Sequence, residues 1–258
     1  MNNFIKIHKP DIVSPIILSI PHGGTFIPDV FKKNLVIKAD ELWSDWYTSE
    51  LYSGIHNLNL TILRTELSRF VADVNRDPIK PLFAPFWEGI IASETPFDEK
   101  VYSRKLSKEE LQSRMALAYV PYHEALNELV NEALSIYGKV LVIDLHSFGM
   151  DESVDVIIGN AKGKSASEDT TSIIEAALHD NKFATRRNTP FSGGWIVRQF
   201  ADNENVDAIQ LELNQRTYIS SADVNNAKPL PKIDRILFAS TQLRLQKVFE
   251  KIIMDYIY

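Results

Sequence analysis

The sequence predicts an α/β fold with a mostly parallel or mixed central sheet, and three features predict it. Strand-like and helix-like segments alternate along the 258 residues. Lys139 to Leu145 is almost unbroken in its apolar character, as a central strand covered on both faces requires. A chain of this length can enclose one sizeable α/β core, and no repeat, low-complexity tract or long linker divides it. One domain over residues 1–258 is expected.

The elements follow in order. Ile12 to Ile20 is β-rich and runs into Pro21-His22-Gly23-Gly24. Lys38 to Ile55 carries Leu42, Trp46, Leu51 and Ile55 near a helical period, so a helix is expected there. Leu58 to Leu63 and Phe70 to Val74 read as short strands, and the proline-rich, aromatic stretch from Ile79 to Pro96 as an irregular loop. Ser107 with Glu110 has the spacing of a capping box and opens a long helix. Pro121 interrupts it, and Tyr122 to Tyr137 continue it until Gly138. After the central strand come a strand at Val154 to Ile158 and a helix at Ser167 to His179. A further helix is expected to start at Ile196 to Phe200, followed by a strand at Ala208 to Leu213 and a closing amphipathic helix from Ile233 to Tyr258.

Composition narrows the function classes. Hydrophobic residues at 45% and charged residues at 24% are ordinary for a soluble globular protein. A formal net charge of −6 offers no general attraction to nucleic acid or anionic membrane. With no cysteine there is neither a disulfide nor thiolate-bound zinc, so any metal must be held by His, Asp or Glu. The first residues lack the pattern of a signal peptide and no apolar run reaches spanning length, so a cytoplasmic protein is expected.

The chemistry gathers in four strings. His22 and His146 each close a run of β-formers and are followed at once by small residues, which places two imidazoles at strand ends, where open α/β sheets bind ligands. They suggest a metal centre; two structural histidines are the plainer alternative. Asp144 precedes His146 by two residues, leaves the strand on the same face and could orient the ring. Arg69, Asn75 and Arg76 bracket the second string: a guanidinium beside an amide suits a carboxylate, and surface salt bridging with Asp73 or Asp77 is the other reading. Gly193 and Gly194, with Arg198 shortly after, make either a shape-selective loop or a simple turn. Glu212 falls on a strand whose polar residues alternate with apolar ones, and a carboxylate so buried must be paired or catalytic. It is the best general-base candidate.

These strings also occur in a known order. Pro-His-Gly-Gly at 21–24, Ser-Asp-Trp at 44–46, Ser-Arg-Phe with Asp-Val-Asn-Arg across 68–76, Asp-Leu-His-Ser at 144–147, Pro-Phe-Ser-Gly-Gly-Trp at 190–195 and Gln-Leu-Glu-Leu-Asn at 210–214 resemble N-formylglutamate amidohydrolases. The resemblance runs from about residue 13 to 220. It implies a three-layer α/β/α sandwich like that of zinc carboxypeptidases and the succinylglutamate desuccinylase–aspartoacylase group. It implies Zn²⁺, or another divalent metal, on His22, His146 and a carboxylate. The carboxypeptidase position for that carboxylate is Thr25 here, so Asp45 takes the place.

The same resemblance assigns Asn75 and Arg76 to substrate carboxylate, with Arg69 and Arg198 as further anion contacts. Glu212 becomes the catalytic glutamate, and His123 matches a family position with either a supporting or a packing role. The implied reaction is hydrolysis of a small N-acyl amino acid, foremost N-formylglutamate to formate and glutamate. A zinc carboxypeptidase-like peptidase, or a non-catalytic metal-dependent protein binding carboxylate ligands, are the alternatives. One departure stands out: the family commonly has a histidine after Asp-Trp, and this chain has Tyr47.

Overall fold

A computed structural model describes residues 4–150, 153–220 and 231–257. Along the chain run β1 (Ile5–His8), β2 (Ile16–Ile20), α1 (Asp29–Lys32), α2 (Thr48–Leu51), β3 (Thr61–Thr65), β4 (Phe83–Ala84) and β5 (Ile91–Ala92). Then come α3 (Lys108–Arg114), α4 (Val120–Tyr137), β6 (Val140–Phe148), β7 (Val156–Gly159) and α5 (Glu168–Asp180). β8 (Thr185–Arg187), α6 (Trp195–Arg198), β9 (Val206–Asn214) and α7 (Arg235–Ile257) complete it. Tyr258, the expected last residue of the closing helix, lies outside the described residues.

Seven strands form one mixed sheet in the order β1-β3-β2-β6-β9-β7-β8. β3, β2, β6 and β9 are parallel, β1 pairs antiparallel with β3, and β7 antiparallel with β9. Every residue of β2, β6 and β9 is buried, which is why the central run carries no polar alternation before Asp144. One face presents Ile16, Leu18, Ile143, Leu145, Ile209 and Leu211 to α5, α7 and the turns around Leu51 to Ile55. The other presents Ile17, Val140, Val142 and Ala208 to α4 and α6. These are the three expected α/β/α layers. A separate cluster under residues 27–119 packs Phe31, Phe70, Phe86 and Tyr102 beside the sheet.

Two expected elements are absent. Lys38 to Ile55 is not one helix: a short 3₁₀ turn at Ala39–Glu41 and α2 are separated by irregular chain, with Tyr47 at φ 62°. Ser44 Oγ donates to His22 O at 2.7 Å and Thr48 Oγ1 to Asp45 O at 3.0 Å, bonds that compete with a helix. The apparent period was a coincidence, since Leu42 packs in one cluster and Trp46, Leu51 and Ile55 in another.

Phe70 to Val74 is a turn rather than a strand. Its amides are satisfied locally and by a neighbouring loop, Val71 N by Ser68 O at 2.8 Å and Asp73 N by Ile90 O at 2.7 Å. Edge strands β1 and β8, too short and too charged to stand out by pattern, were not foreseen.

The capping box at Ser107 and Glu110 is present, and Gly138 ends α4 at φ 72°. Between α3 and α4 the helix does not break at Pro121. It widens into a π turn over Met115–Tyr119, directly before the proline. A proline lacks the N–H of the helical ladder and crowds the carbonyl four residues back; a wider turn accommodates both.

Candidate metal centre and substrate pocket

Parallel β2, β6 and β9 end together, and the site lies at that end. His22 follows β2 by two residues, and the chain there turns close over the exit of β3. A Cβ on Gly24 would meet the Glu66 backbone at 2.3 Å, so glycine is required for this approach. His146 falls within β6, and Glu212 stands opposite it in register on β9. Asp144 and Gln210 are the preceding opposed pair on the same face.

His22, Asp45 and His146 are each about 2% exposed, and each offers a ligand atom within 4.8 Å of the others. Asp45 lies on irregular chain, not on a helix. Its Oδ2 is 3.0 Å from His146 Nδ1 and 3.7 Å from His22 Nδ1, and it accepts from Ser147 N at 3.1 Å. The other ring nitrogens turn to carboxylates: His22 Nε2 is 2.7 Å from Asp73 Oδ1, and His146 Nε2 is 2.7 Å from Asp144 Oδ2. Asp144 also accepts from Ser19 Oγ at 2.7 Å. With a proton on each Nε2, both Nδ1 lone pairs converge on Asp45.

That donor set fits a divalent cation. His22 Nδ1 is buried and has no hydrogen-bond partner, an orphan that a buried polar atom rarely remains. Asp45, Asp73, Asp144 and Glu212 surround the two imidazoles, and Arg69 and Arg76 are the guanidinium groups that face them among the described residues. Burial opposes ionisation of Asp45, but His22 and His146 outweigh it and hold the carboxyl well below the usual range. Burial would depress His146, yet Asp144, Asp45 and Glu212 hold it well above an ordinary histidine. Thr25, at the carboxypeptidase position, is exposed.

A cavity of about 220 Å³ opens onto this cluster, walled by Trp43, Arg76, Trp87, Phe148, Phe191 and Glu212 among others. Glu212 is 8% exposed, and burial pushes its carboxyl up to about 7 against the pull of His146. Arg76 donates to Phe86 O at 3.1 Å and lies 3.5 Å from Asp73, while its Nε is buried without a partner. Gly193 and Gly194 line the cavity as well. His22, Asp45, His146, Asn75, Arg76, Gly193, Gly194 and Glu212 thus meet in one place.

Three expected site residues are engaged by the protein itself. Arg69 lines the wall, but its fork is taken by carboxylates: Nε and Nη2 donate to Asp73 Oδ2 at 3.2 and 2.6 Å, and Nη1 to Asp45 Oδ1 at 3.2 Å. It stacks on Phe86, 4.7 Å from the ring centroid. The salt bridge with Asp73 exists, buried rather than on the surface. Arg198 is exposed and outside the wall, donating to Gly193 O at 2.8 Å and Ser192 Oγ at 3.0 Å; it braces the glycine loop. His123 is also outside the wall, 2.8 Å from Val74 O, and burial lowers its pKa. Together with Arg114 on Phe70 O at 3.1 Å and Tyr119 on Arg76 O at 2.7 Å, it fastens the 70–76 turn to the long helix.

Asn75 is occupied by the protein itself. Its Nδ2 lies 3.0 Å from His146 Nε2 and donates to Gln210 Oε1 at 3.2 Å, and its Oδ1 accepts from Ile196 N at 2.9 Å. Tyr47 points away, donating to Pro231 O at 2.7 Å. Two participants were given no place at the site by the sequence reading: Asp73, named there only as a salt-bridge partner, and Gln210, named only for its alternation with apolar neighbours. The signal for Gln210 was its same-face spacing from Glu212; Asp73 had no local signal, because its partner His22 is 51 residues away.

Comparison with known proteins follows the same line. The profile of the N-formylglutamate amidohydrolase family matches residues 14–219. N-formylglutamate deformylase of Pseudomonas aeruginosa is 30% identical over 219 residues, spanning 80% of this chain and 82% of that protein. The N-formylglutamate deformylase of Pseudomonas putida is 27% identical over 236 residues, or 86% and 88% of the two chains. In fold, the crystal structure of N-formylglutamate amidohydrolase from Ralstonia eutropha JMP134 matches with a TM-score of 0.82 at 22% identity, covering 98% of this chain and 97% of that one. Among the described residues no helix is long and apolar enough to cross a membrane.

Proposed function

The chain belongs to the N-formylglutamate amidohydrolase family, and from that premise we propose that it hydrolyses N-formylglutamate to formate and glutamate. One observation carries the mechanism: two imidazole Nδ1 atoms and a carboxylate oxygen converge, buried, beside a glutamate in a single cavity. His22, Asp45 and His146 would hold a divalent cation, and a nitrogen–oxygen donor set without thiolate suits zinc. When bound, such a cation acidifies water and polarises a carbonyl.

The chain's own residues do the rest. Glu212 takes a proton from the attacking water and delivers it to the departing amine nitrogen. The water oxygen bonds to the formyl carbon as the C–N bond breaks. A carboxyl held at about 7 can serve both transfers near neutrality. Arg76, with its unpaired Nε, holds a substrate carboxylate and so orients the amide; walls from Trp43, Phe148 and Phe191 limit access of bulk water. Asp73 and Asp144 fix the rings of His22 and His146.

A substrate panel tests the reading. Metal-replete protein is given N-formyl, N-acetyl and N-succinyl amino acids, with peptides as controls. The expected result is the highest kcat/KM for N-formylglutamate, with formate released. Preferential cleavage of peptides would replace it with the carboxypeptidase reading, and saturable binding without product with the binding-protein reading.

A further inference from the structure

We propose that Gln210 is a positioning residue that ties the base to the substrate-facing loop; this rests on the reading of Glu212 as base. Gln210 is 4% exposed and occupies a junction of three segments. Its Nε2 donates to Glu212 Oε1 at 2.8 Å. Its Oε1 accepts from Gly194 N at 2.8 Å and from Asn75 Nδ2 at 3.2 Å. The amide accepts from two N–H groups with its oxygen and donates to the carboxylate with its nitrogen, so both ends are used at once.

The geometry makes this more than filling. Donation to Oε1 fixes one oxygen of Glu212 and leaves Oε2 for the proton it must carry. The loop that supplies Gly194 is seated just as closely: a Cβ there would meet the Asn75 side chain at 2.3 Å. Across the sheet, a Cβ on Gly159 would meet Gly193 N at 2.7 Å. Loop, turn and base therefore share one hydrogen-bonded residue.

Substitutions separate this role from packing. Gln210→Glu keeps acceptors for Gly194 and Asn75 but replaces the amide donor with a second carboxyl beside Glu212, so the two carboxyls compete for one proton and the fixed N–H contact is lost. Its kcat should fall on the order of tenfold to a hundredfold, as misplacement of a catalytic group does. KM should stay within about twofold, since the contacts of the clamp survive. Metal content should equal wild type. In the Glu212→Gln background the Gln210→Glu change should add no further loss of kcat, because its partner is already gone.

Unchanged kcat in Gln210→Glu, or losses that multiply in the double variant, would overturn the proposal. Gln210→Met, of similar length and neutral, guards against misfolding of the first variant. It should lower kcat and also raise KM, and wild-type kcat in it would count equally against the proposal. Glu212→Gln measured alone keeps the two ideas apart. Full turnover there sinks the glutamate-base reading and this proposal with it, whereas loss there with full turnover in Gln210→Glu sinks only the proposal.

Discussion

Two histidine pairs lie in this molecule with almost the same spacing. His22 and His146 have ring centroids 4.7 Å apart at 68°, and His8 and His56 have theirs 4.9 Å apart at 36°. Their surroundings differ completely. The first pair is buried at the carboxyl ends of parallel strands among Asp45, Asp73 and Asp144. The second sits half-buried beside edge strand β1, with His8 Nε2 3.1 Å from the backbone oxygen of His56. Carboxylates push His146 up, while burial, His8 and Arg64 push His56 down. Proximity of imidazoles is therefore no sign of a metal site. What sets the first pair apart is its ring of carboxylates, which can fix the tautomer of each imidazole and supply negative charge.

The largest effect should come from breaking each pair in turn. His22→Ala or His146→Ala should reduce bound metal from about one per chain to near zero and abolish turnover. His8→Ala and His56→Ala should leave both unchanged. Metal analysis after purification without chelator, with activity on N-formylglutamate, checks this; equal loss in both pairs would erase the distinction.

A smaller effect should follow from weakening only the outer ring. Asp73→Asn and Asp144→Asn keep the shape but remove the charge behind each imidazole. Metal affinity should fall about 10- to 100-fold, read by competition with a chelator of known affinity.

The smallest effect concerns acid stability at the second pair. The depressed His56 imidazole carries no penalty above its unfolded value of about 6.5, and stability is withdrawn as pH falls through that value towards the lower folded one. Between about pH 7 and pH 5, Tm should therefore decline slightly less in His56→Gln than in the wild type. An identical decline would show that the pair titrates as if unfolded.

The sequence made the interior legible and left the surroundings obscure. Lys139 to Leu145 announced a central strand because burial on both faces favours a nearly unbroken apolar run, with Asp144 its one buried polar side chain. His22, His146 and Glu212 were legible because a titratable group ending or interrupting such a strand has few innocent explanations. For Arg69 the sequence offered both a substrate anion and Asp73, four residues away; its further partner Asp45 converges only in three dimensions. The segment around Asp45 was read as a helix because its apolar spacing was right, although the residues serve different cores. Gln210 was within reach, two residues from Glu212, but an amide carries no charge to force the question.

The π turn at Met115–Tyr119 has a consequence for the phase of the long helix. Arg114 and Tyr119 are five residues apart, which an α-helix would set on different sides, yet both reach carbonyls of the same turn. His123, four residues further, completes the row. The extra residue thus acts as a vernier between two helical scales. Deleting one residue from 116–118 should rotate the downstream helix by about 100° relative to the upstream half. Val74 and Arg76 would then lose their fastenings while Phe70 kept its own. The register of Arg76, the arginine proposed to hold substrate, is accordingly set by a length of chain outside the cavity wall.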